Sequence, residues 1–278
     1  MAETRGRRLA GLGRAALLGA ALAVLPLAPA PAQETATPAP AAPPEAVTPR
    51  PRRVDPRADE ILKKMSALLA GTPRFALEAE ETFDEVSDNA PRLQLSNVRR
   101  VGVERPARLA ADATGDTLNR AAWYDGRTLT VLDKARNVYV SVEKPGTIDG
   151  ALDAIADDYG VVIPLSDLLY SDPYATLIEG VVYGEYQGLH HAAGTLCHHL
   201  AFSQEAIDWQ IWIDAGEKPL PRKLVITYVN EPGTPQYAAV IRRFTPDPKF
   251  PDGLFHFEAP EGAQRISESE VLRRKESQ

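Results

Sequence analysis

The feature that most constrains the fold is a region, residues 196–228, in which apolar and polar side chains alternate along three consecutive segments. A period of two is typical of a strand with one buried face. The clearest case is Ile207–Asp214, where one face carries Ile207, Trp209, Ile211 and Ile213. The third segment, residues 222–228, follows Pro219 and Pro221, which cannot lie in the middle of a sheet. The region therefore predicts three antiparallel strands with one apolar face.

The same alternation recurs on both sides of this region. Six strands joined by short turns are predicted at residues 74–86, 93–104, 107–112, 121–124, 128–132 and 138–142. Asp125-Gly126 is a strong hairpin signal between two of them. Further strands are predicted at residues 181–189, 196–203, 237–244 and 254–257.

Two helical regions interrupt the strands. Asp55-Pro56 is a helix start, and apolar residues then recur at helical spacing until Gly71. Between the two sets of strands, Thr147 can cap a helix over residues 148–159, and short helical turns follow at residues 165–169 and 173–178. This order predicts an α+β fold with a single curved antiparallel sheet, an unclosed half β-barrel, whose concave face is covered by the helices.

A family resemblance rests on four motifs: C-H-H-L-A-F, D-W-Q-I-W-I-D, P-L-P-R-K-L-V-I-T-Y and P-Q-Y, the first of which begins at Cys197. They resemble a family of predicted periplasmic proteins, domain of unknown function 2092, which is similar in fold to the outer-membrane lipoprotein carriers LolA and LolB. The resemblance covers residues 55–266 and implies a LolA-like periplasmic domain there. It implies a fold and a compartment, but no established activity.

The flanking segments are typical of sequence outside a folded domain. Residues 1–32 resemble a signal peptide, with arginines before an apolar run and Ala30-Pro31-Ala32 as a cleavage site. An uncleaved membrane anchor is the alternative. The composition of residues 33–54 predicts a disordered Pro/Ala-rich linker, and that of residues 267–278 predicts a polar C-terminal tail. We therefore expect a periplasmic protein whose mature chain has no transmembrane segment.

Charge and cysteine content narrow the function classes. The net charge is −7, and removal of residues 1–32 leaves 27 basic and 37 acidic residues, a net charge of −10. An acidic protein is a poor match for nucleic acid or for an anionic lipid surface. Cys197 is the only cysteine, so an intrachain disulfide is impossible. We interpret it as a small buried apolar residue, with a free reactive thiol as the alternative.

Four histidines lie close to Cys197 and suggest a metal site: His190, His191, His198 and His199. Imidazole and thiolate bind zinc and copper. Neighbouring histidines on one strand point to opposite faces, however, so each pair can offer only one ligand to a shared site. We predict no metal and no cofactor, and keep a metal-binding protein using His190, His191, Cys197 and His199 as an alternative.

Catalytic motifs are missing from the sequence. It has no Gly-x-Ser-x-Gly, no His-Glu-x-x-His and no glycine-rich phosphate or dinucleotide loop. Asp208 and Asp214 share the polar face of one strand, but such acids are usually solvated, and Arg222 can pair with one of them. The sequence therefore predicts a protein that is not an enzyme.

The apolar side chains of the strands and of the helical insertion carry the functional hypothesis. We predict that they line a cavity for a lipid, an acyl chain of a lipoprotein or another hydrophobic ligand between sheet and helices. The candidate lining residues are Phe75, Phe83, Trp123, Ile148, Leu152, Ile155, Leu168, Leu200, Phe202, Trp209 and Ile211. The alternative is an envelope interaction module, which binds a protein partner and whose core is fully packed.

Overall fold

The structure is a computed structural model, and it describes residues 53–87, 89–159 and 163–270. The predicted signal peptide, nearly all of the predicted linker and the end of the predicted tail lie outside the described residues. Arg53 and Val54, predicted as the end of the linker, form a short strand instead.

The strands of the described chain form one thirteen-stranded sheet. Their order across the sheet is β1-β8-β9-β10-β11-β12-β2-β3-β4-β5-β6-β7-β13. Their bounds are β1 Arg53–Val54, β2 Arg74–Glu85, β3 Leu93–Glu104, β4 Arg108–Gly115, β5 Asn119–Tyr124, β6 Thr128–Asp133, β7 Val138–Glu143, β8 Tyr183–Ala192, β9 Thr195–Ser203, β10 Ile207–Asp214, β11 Pro221–Tyr228, β12 Gln236–Pro246 and β13 Gln264–Arg265.

Strand β12 joins the two halves of the sheet. It pairs with β11 on one side and with β2 on the other, where Tyr237 lies opposite Phe83 and Ile241 opposite Ala79. All pairs between the longer strands are antiparallel, as predicted, whereas the two-residue strands β1 and β13 pair in parallel with β8 and β7 at the edges.

The helices begin and end close to the predicted positions. They are α1 Pro56–Ala70, α2 Ile148–Tyr159 and α3 Pro173–Ile178, with a 3₁₀ helix at Ser166–Leu168 between the last two. Asp55 caps α1 by accepting a hydrogen bond from Arg57 N, and Asp172 caps α3 through Ala175 N. We call α2, the 3₁₀ helix and α3 together the lid.

The apolar stripes of α1 and of the lid pack on one face of the sheet, which we call the inner face; the opposite face is the outer face. A sheet of this many twisted strands curls, and the helices occupy its concave side. The predicted fold class, an unclosed half-barrel with helices over its concave face, is confirmed.

The strand predicted at residues 254–257 is wrong. These residues form a turn in which Leu254 N donates to Pro251 O and His256 N to Gly253 O. Phe255 is buried there against the edge of the Phe250 ring, so its apolar character serves a local turn. The last strand in the described chain is instead β13.

Candidate functional site

The predicted lining residues mostly meet at one interface, between the inner face of the sheet and the lid. Nine of the eleven have no more than 8% of their surface exposed. On strands these are Phe75, Leu200, Phe202, Trp209 and Ile211, and on the lid Ile148, Leu152, Ile155 and Leu168. Phe83 is partly buried against the same core.

Trp123 lies elsewhere. Its neighbour Tyr124 belongs to the inner-face core, so the alternation along β5 turns Trp123 to the outer face. There its ring packs 5.1 Å from that of Phe257, which in turn lies 4.8 Å from Tyr139. A large aromatic residue fits either face of a half-buried strand, and the inner-face placement of Trp123 was therefore wrong.

The interface is closely packed where the described strands and helices meet. Phe202 and Trp209 stack with their ring centroids 4.3 Å apart. Gly184 on β8 leaves room for Phe202, because a Cβ at that position would lie 2.6 Å from the phenyl ring. Each such apolar side chain contributes about 1.5–3 kcal/mol on burial. A ligand at this interface therefore has to displace contacts that the protein makes with itself.

Few hydrogen bonds attach the lid to the sheet and its turns. Ile148 N donates to Pro106 O at 2.8 Å where α2 begins, and Arg105 Nη1 donates to Leu169 O at 2.8 Å after the 3₁₀ helix. Gln204 Nε2 donates to Glu179 O at 2.9 Å, just beyond α3. Lys144 Nζ, just after β7, donates to Asp158 on α2 at 2.6 Å, and the Tyr174 hydroxyl on α3 donates to Asp59 on α1. Most of the remaining contact between lid and sheet is made by apolar side chains, which are non-directional contacts.

Arg105 is the cationic group at this attachment. Its Nε and Nη2 groups are buried without a hydrogen-bond partner in the part of the chain that the structure describes, and its guanidinium lies 5.7 Å from the centre of the Phe75 ring. Burial lowers the pKa of Arg105, while Asp149 acts in the opposite direction. An arginine keeps its charge at any ordinary pH, so Arg105 holds the lid with one bond and has two donors to spare.

Three more polar atoms at the sheet–helix interface are buried with no partner within residues 53–87, 89–159 and 163–270. They are Trp209 Nε1, the Tyr228 hydroxyl and Ser66 Oγ, the last of which lies on α1. An unpaired buried donor costs about 1–3 kcal/mol, and such groups are rare in folded proteins. An interface that holds several of them is a candidate site for a ligand with polar atoms.

A buried ion pair occupies the inner face near these groups. Arg99 donates to Glu81 through Nε at 2.5 Å and through Nη2 at 3.1 Å, and the Tyr237 hydroxyl donates to the same carboxylate at 2.8 Å. Burial opposes the charge on Arg99, but the bonds to Glu81 and its charge outweigh burial and raise the pKa of Arg99. Burial, with the charge of Glu81, raises the pKa of Tyr237 well above its ordinary value.

The sequence carries one signal for this ion pair. Glu81 shares the apolar face of its strand with Phe75, Leu77, Ala79 and Phe83. A charged residue on the buried side of a strand requires a partner, but the partner is on another strand, so its identity depends on register.

The histidine cluster is divided between the two faces. On the outer face, His190 Nδ1 and His199 Nδ1 are 2.8 Å apart, and the ring of His199 stacks on Trp212 at 4.0 Å. His198 lies on the other side of β9, where its Nδ1 is 3.1 Å from the Tyr186 hydroxyl. Within the described residues no group of three or more histidine, cysteine or acidic side chains is arranged to hold a metal ion. The metal-binding alternative therefore lacks its site.

The remaining polar candidates have structural surroundings. Arg222 donates to Asp214 at 2.6 Å from Nη2, which is the pairing expected from the sequence. Cys197 is buried, and burial raises the pKa of its thiol. A raised pKa lowers the thiolate fraction, so the thiol is poorly suited to nucleophilic chemistry.

A shallow depression lies on the outer face, at the β6–β7 edge. Its volume is about 440 Å³, and its walls include Phe257, Tyr139, Glu143 and Arg265. Arg265 Nη2 donates to Ser141 O at 3.2 Å, so part of its polar lining is already paired. This depression is separate from the sheet–lid interface.

The fold and the interface define a class: an open half-barrel with a helical lid over an apolar face. The family follows from the sequence, because residues 58–267 match the model described as "Predicted periplasmic protein (DUF2092)". The match spans most of the chain, which therefore belongs to this family. No curated protein matches the sequence at a significant level.

Several solved structures are similar in fold. An uncharacterized conserved protein from Thermus thermophilus has 11% identity and a TM-score of 0.43, with 76% of this chain and 99% of that chain covered. The lipoprotein LppX from Mycobacterium tuberculosis has 11% identity and a TM-score of 0.40, with coverage of 71% and 100%. The LolA superfamily protein NE2245 from Nitrosomonas europaea has 10% identity and a TM-score of 0.34, with coverage of 72% and 97%. We infer no function from structural similarities with such low sequence identities and TM-scores.

Among the described residues, none of the helices combines the length and the apolar character that crossing a bilayer requires.

Proposed function

We propose that this protein is a non-enzymatic periplasmic binding protein that holds a lipid, an acyl chain or another hydrophobic ligand between its sheet and its lid. The observation that carries the proposal is the interface itself. The lid covers an extensive apolar surface but is attached by few hydrogen bonds, and the interface contains polar atoms that the fold leaves unpaired. The periplasmic location is taken from the family description and from the signal-like residues 1–32.

Ligand entry exchanges one set of apolar contacts for another. When the lid moves away, Ile148, Leu152 and Leu168 lose their contacts with the sheet, and an acyl chain in the gap replaces them. Each buried methylene of the ligand contributes about 0.8 kcal/mol. This driving force is non-directional, so such a site needs no sequence motif.

Uptake of an apolar dye tests the proposal. The mature protein is mixed with 1-aminoanthracene, and the rise in dye fluorescence gives the rate and extent of binding. We expect Arg105→Gln, which removes the bond to Leu169 O, to take up the dye faster than the wild type. The matched control is Arg100→Gln, which removes an exposed outer-face pair with Glu78 and should leave uptake unchanged. If the wild type and Arg105→Gln both fail to bind the dye, the proposal is wrong.

An envelope interaction module is the second candidate, and the open edge of β8 favours it. In the described chain, β1 pairs only with Tyr183 and Gly184, so the rest of β8 has a strand on one side only. Leu189 and Leu196 are exposed nearby, at 49% and 43%. An open edge with apolar neighbours can pair with an extended segment of another protein. A partner that Leu189→Lys releases, together with failure of dye uptake, would favour this function.

A further inference from the structure

Two donors on the inner face have no acceptor among the described residues: the indole N–H of Trp209 and the hydroxyl of Tyr228. We infer that the ligand carries a neutral carbonyl group, an ester or an amide, whose oxygen accepts hydrogen bonds from these two donors while its acyl chain lies along the apolar face. The inference rests on the proposed function and names its ligand class.

The register of β10 and β11 makes Trp209 and Tyr228 diagonal neighbours on the inner face. Trp209 lies opposite Ile226, and Tyr228 lies opposite Ile207 on the next inner-face position. Diagonal neighbours of this kind have their Cα positions roughly 7–8 Å apart, within reach of one small group for large aromatic side chains. Both side chains belong to the inner-face core and are almost completely buried.

The chemistry of the two groups calls for an acceptor. An indole nitrogen can only donate. Burial, with the charge of Glu231, raises the pKa of Tyr228, so its hydroxyl keeps its proton and remains a donor. A carbonyl oxygen has two lone pairs and can accept from both. A purely hydrocarbon ligand would leave both donors unpaired.

The surrounding charges favour a neutral carbonyl over a carboxylate. Besides burial, the charge of Glu231 raises the pKa of Tyr228. Tyr228 in turn adds to the raised pKa of Tyr237, whose hydroxyl donates to Glu81. The cation in this part of the described core, Arg99, already pairs with Glu81. A buried carboxylate here would meet negative neighbours without a free cation. Arg105 has spare donors, but it lies in the turn after β3. This turn is far along the strand from the position that lies opposite Glu81.

A competition experiment on the mature full-length protein tests the inference. We would measure how well three ligands of similar chain length displace 1-aminoanthracene: methyl laurate, laurate and tetradecane. The proteins compared are the wild type, Trp209→Phe and Tyr228→Phe. Both variants keep an aromatic ring and lose the donor. We expect each variant to bind methyl laurate about ten-fold more weakly than the wild type, because a buried hydrogen bond is lost. The affinity for tetradecane should stay the same. The control is Tyr124→Phe, which removes a hydroxyl already bonded to Lys144 O at 2.8 Å and should leave the ratio of the two affinities unchanged.

The outcomes separate this inference from the proposed function. If both variants bind methyl laurate and tetradecane in the wild-type ratio, the carbonyl contact is wrong although apolar binding stands. If the wild type prefers laurate and Arg105→Gln loses that preference, the head group lies at Arg105 and the inference is overturned. If no probe displaces the dye because the protein never binds it, the proposed function itself has failed. Thermal melts of each variant confirm that it is folded.

Discussion

Among single residues, two inner-face tyrosines differ in what their hydroxyls contact. Tyr237 donates to the buried carboxylate of Glu81, whereas the described residues offer the Tyr228 hydroxyl no partner. We therefore expect Tyr237→Phe to lower the free energy of unfolding by about 1–3 kcal/mol, because Glu81 loses a donor. Tyr228→Phe should leave the free energy of unfolding unchanged or raise it. Urea unfolding of the two variants measures both, and an equal loss would show that Tyr228 is paired in the free protein.

His199 gives the protein a pH dependence near neutrality. Burial lowers the pKa of its imidazole below the ordinary 6.5, and His190 and Lys223 act in the same direction. The unfolded chain then binds more protons than the folded one below that value, so the free energy of unfolding falls as the pH falls through 6.5. We expect His199→Gln to lose less stability than the wild type on acidification.

Chemical unfolding at a series of pH values from neutral to mildly acidic checks this slope. The control for the loss of one imidazole is His191→Gln, at the exposed His191 on the neighbouring strand. A His199→Gln slope identical to that of the wild type would contradict the assignment. Burial also lowers the pKa of His198, which should therefore add a slope of the same sign in both proteins.

At the scale of the elements, two glycines show where packing decides the residue. A Cβ at Gly184 would lie 2.6 Å from the Phe202 ring, so Gly184→Ala should destabilise the β8–β9 pair by about 1–3 kcal/mol. Gly150 is exposed on α2, where the nearest atom to a new Cβ is Thr147 Oγ1 at 3.9 Å. Gly150→Ala should therefore stabilise the protein by about 0.5–1 kcal/mol. Thermal unfolding shows whether each variant is less or more stable than the wild type. If Gly184→Ala leaves the stability unchanged, Phe202 can move aside.

Most elements could be predicted because their patterns are local. The bounds of Ile207–Asp214, Leu93–Glu104 and Ile148–Tyr159 agree with the sequence patterns that predicted them. A two-residue strand has no periodicity, so β1 and β13 left no signal. The strand predicted at residues 254–257 failed because an apolar run looks alike in a strand and in a buried turn.

The candidate site was predictable only in part, because a site depends on contacts between distant segments. Alternation identified Trp209 and Phe202 as inner-face residues, but it could not choose a face for Trp123. The pairing of Glu81 with Arg99 and the missing partner of Tyr228 depend on strand register and on how the helices lie. Neither is encoded in a pattern of one segment.

At the scale of the whole molecule, the proposed function depends on the sheet and the lid together. The inner face of the sheet is apolar, and the chain covers that face with helices attached by few polar bonds. Membership of a predicted periplasmic family is consistent with a binding protein that meets its ligand outside the inner membrane. We propose that this covered face receives a hydrophobic ligand.

Native mass spectrometry of the mature protein purified from its own periplasm, followed by solvent extraction and lipid analysis, tests this claim most directly. We predict a co-purifying species with an ester- or amide-linked acyl chain, at close to one molecule per chain. The same preparation from Arg105→Gln should hold less of it, because the lid opens more readily. A bare protein mass, together with no uptake of added methyl laurate, would contradict the claim and leave the interaction module as the leading function.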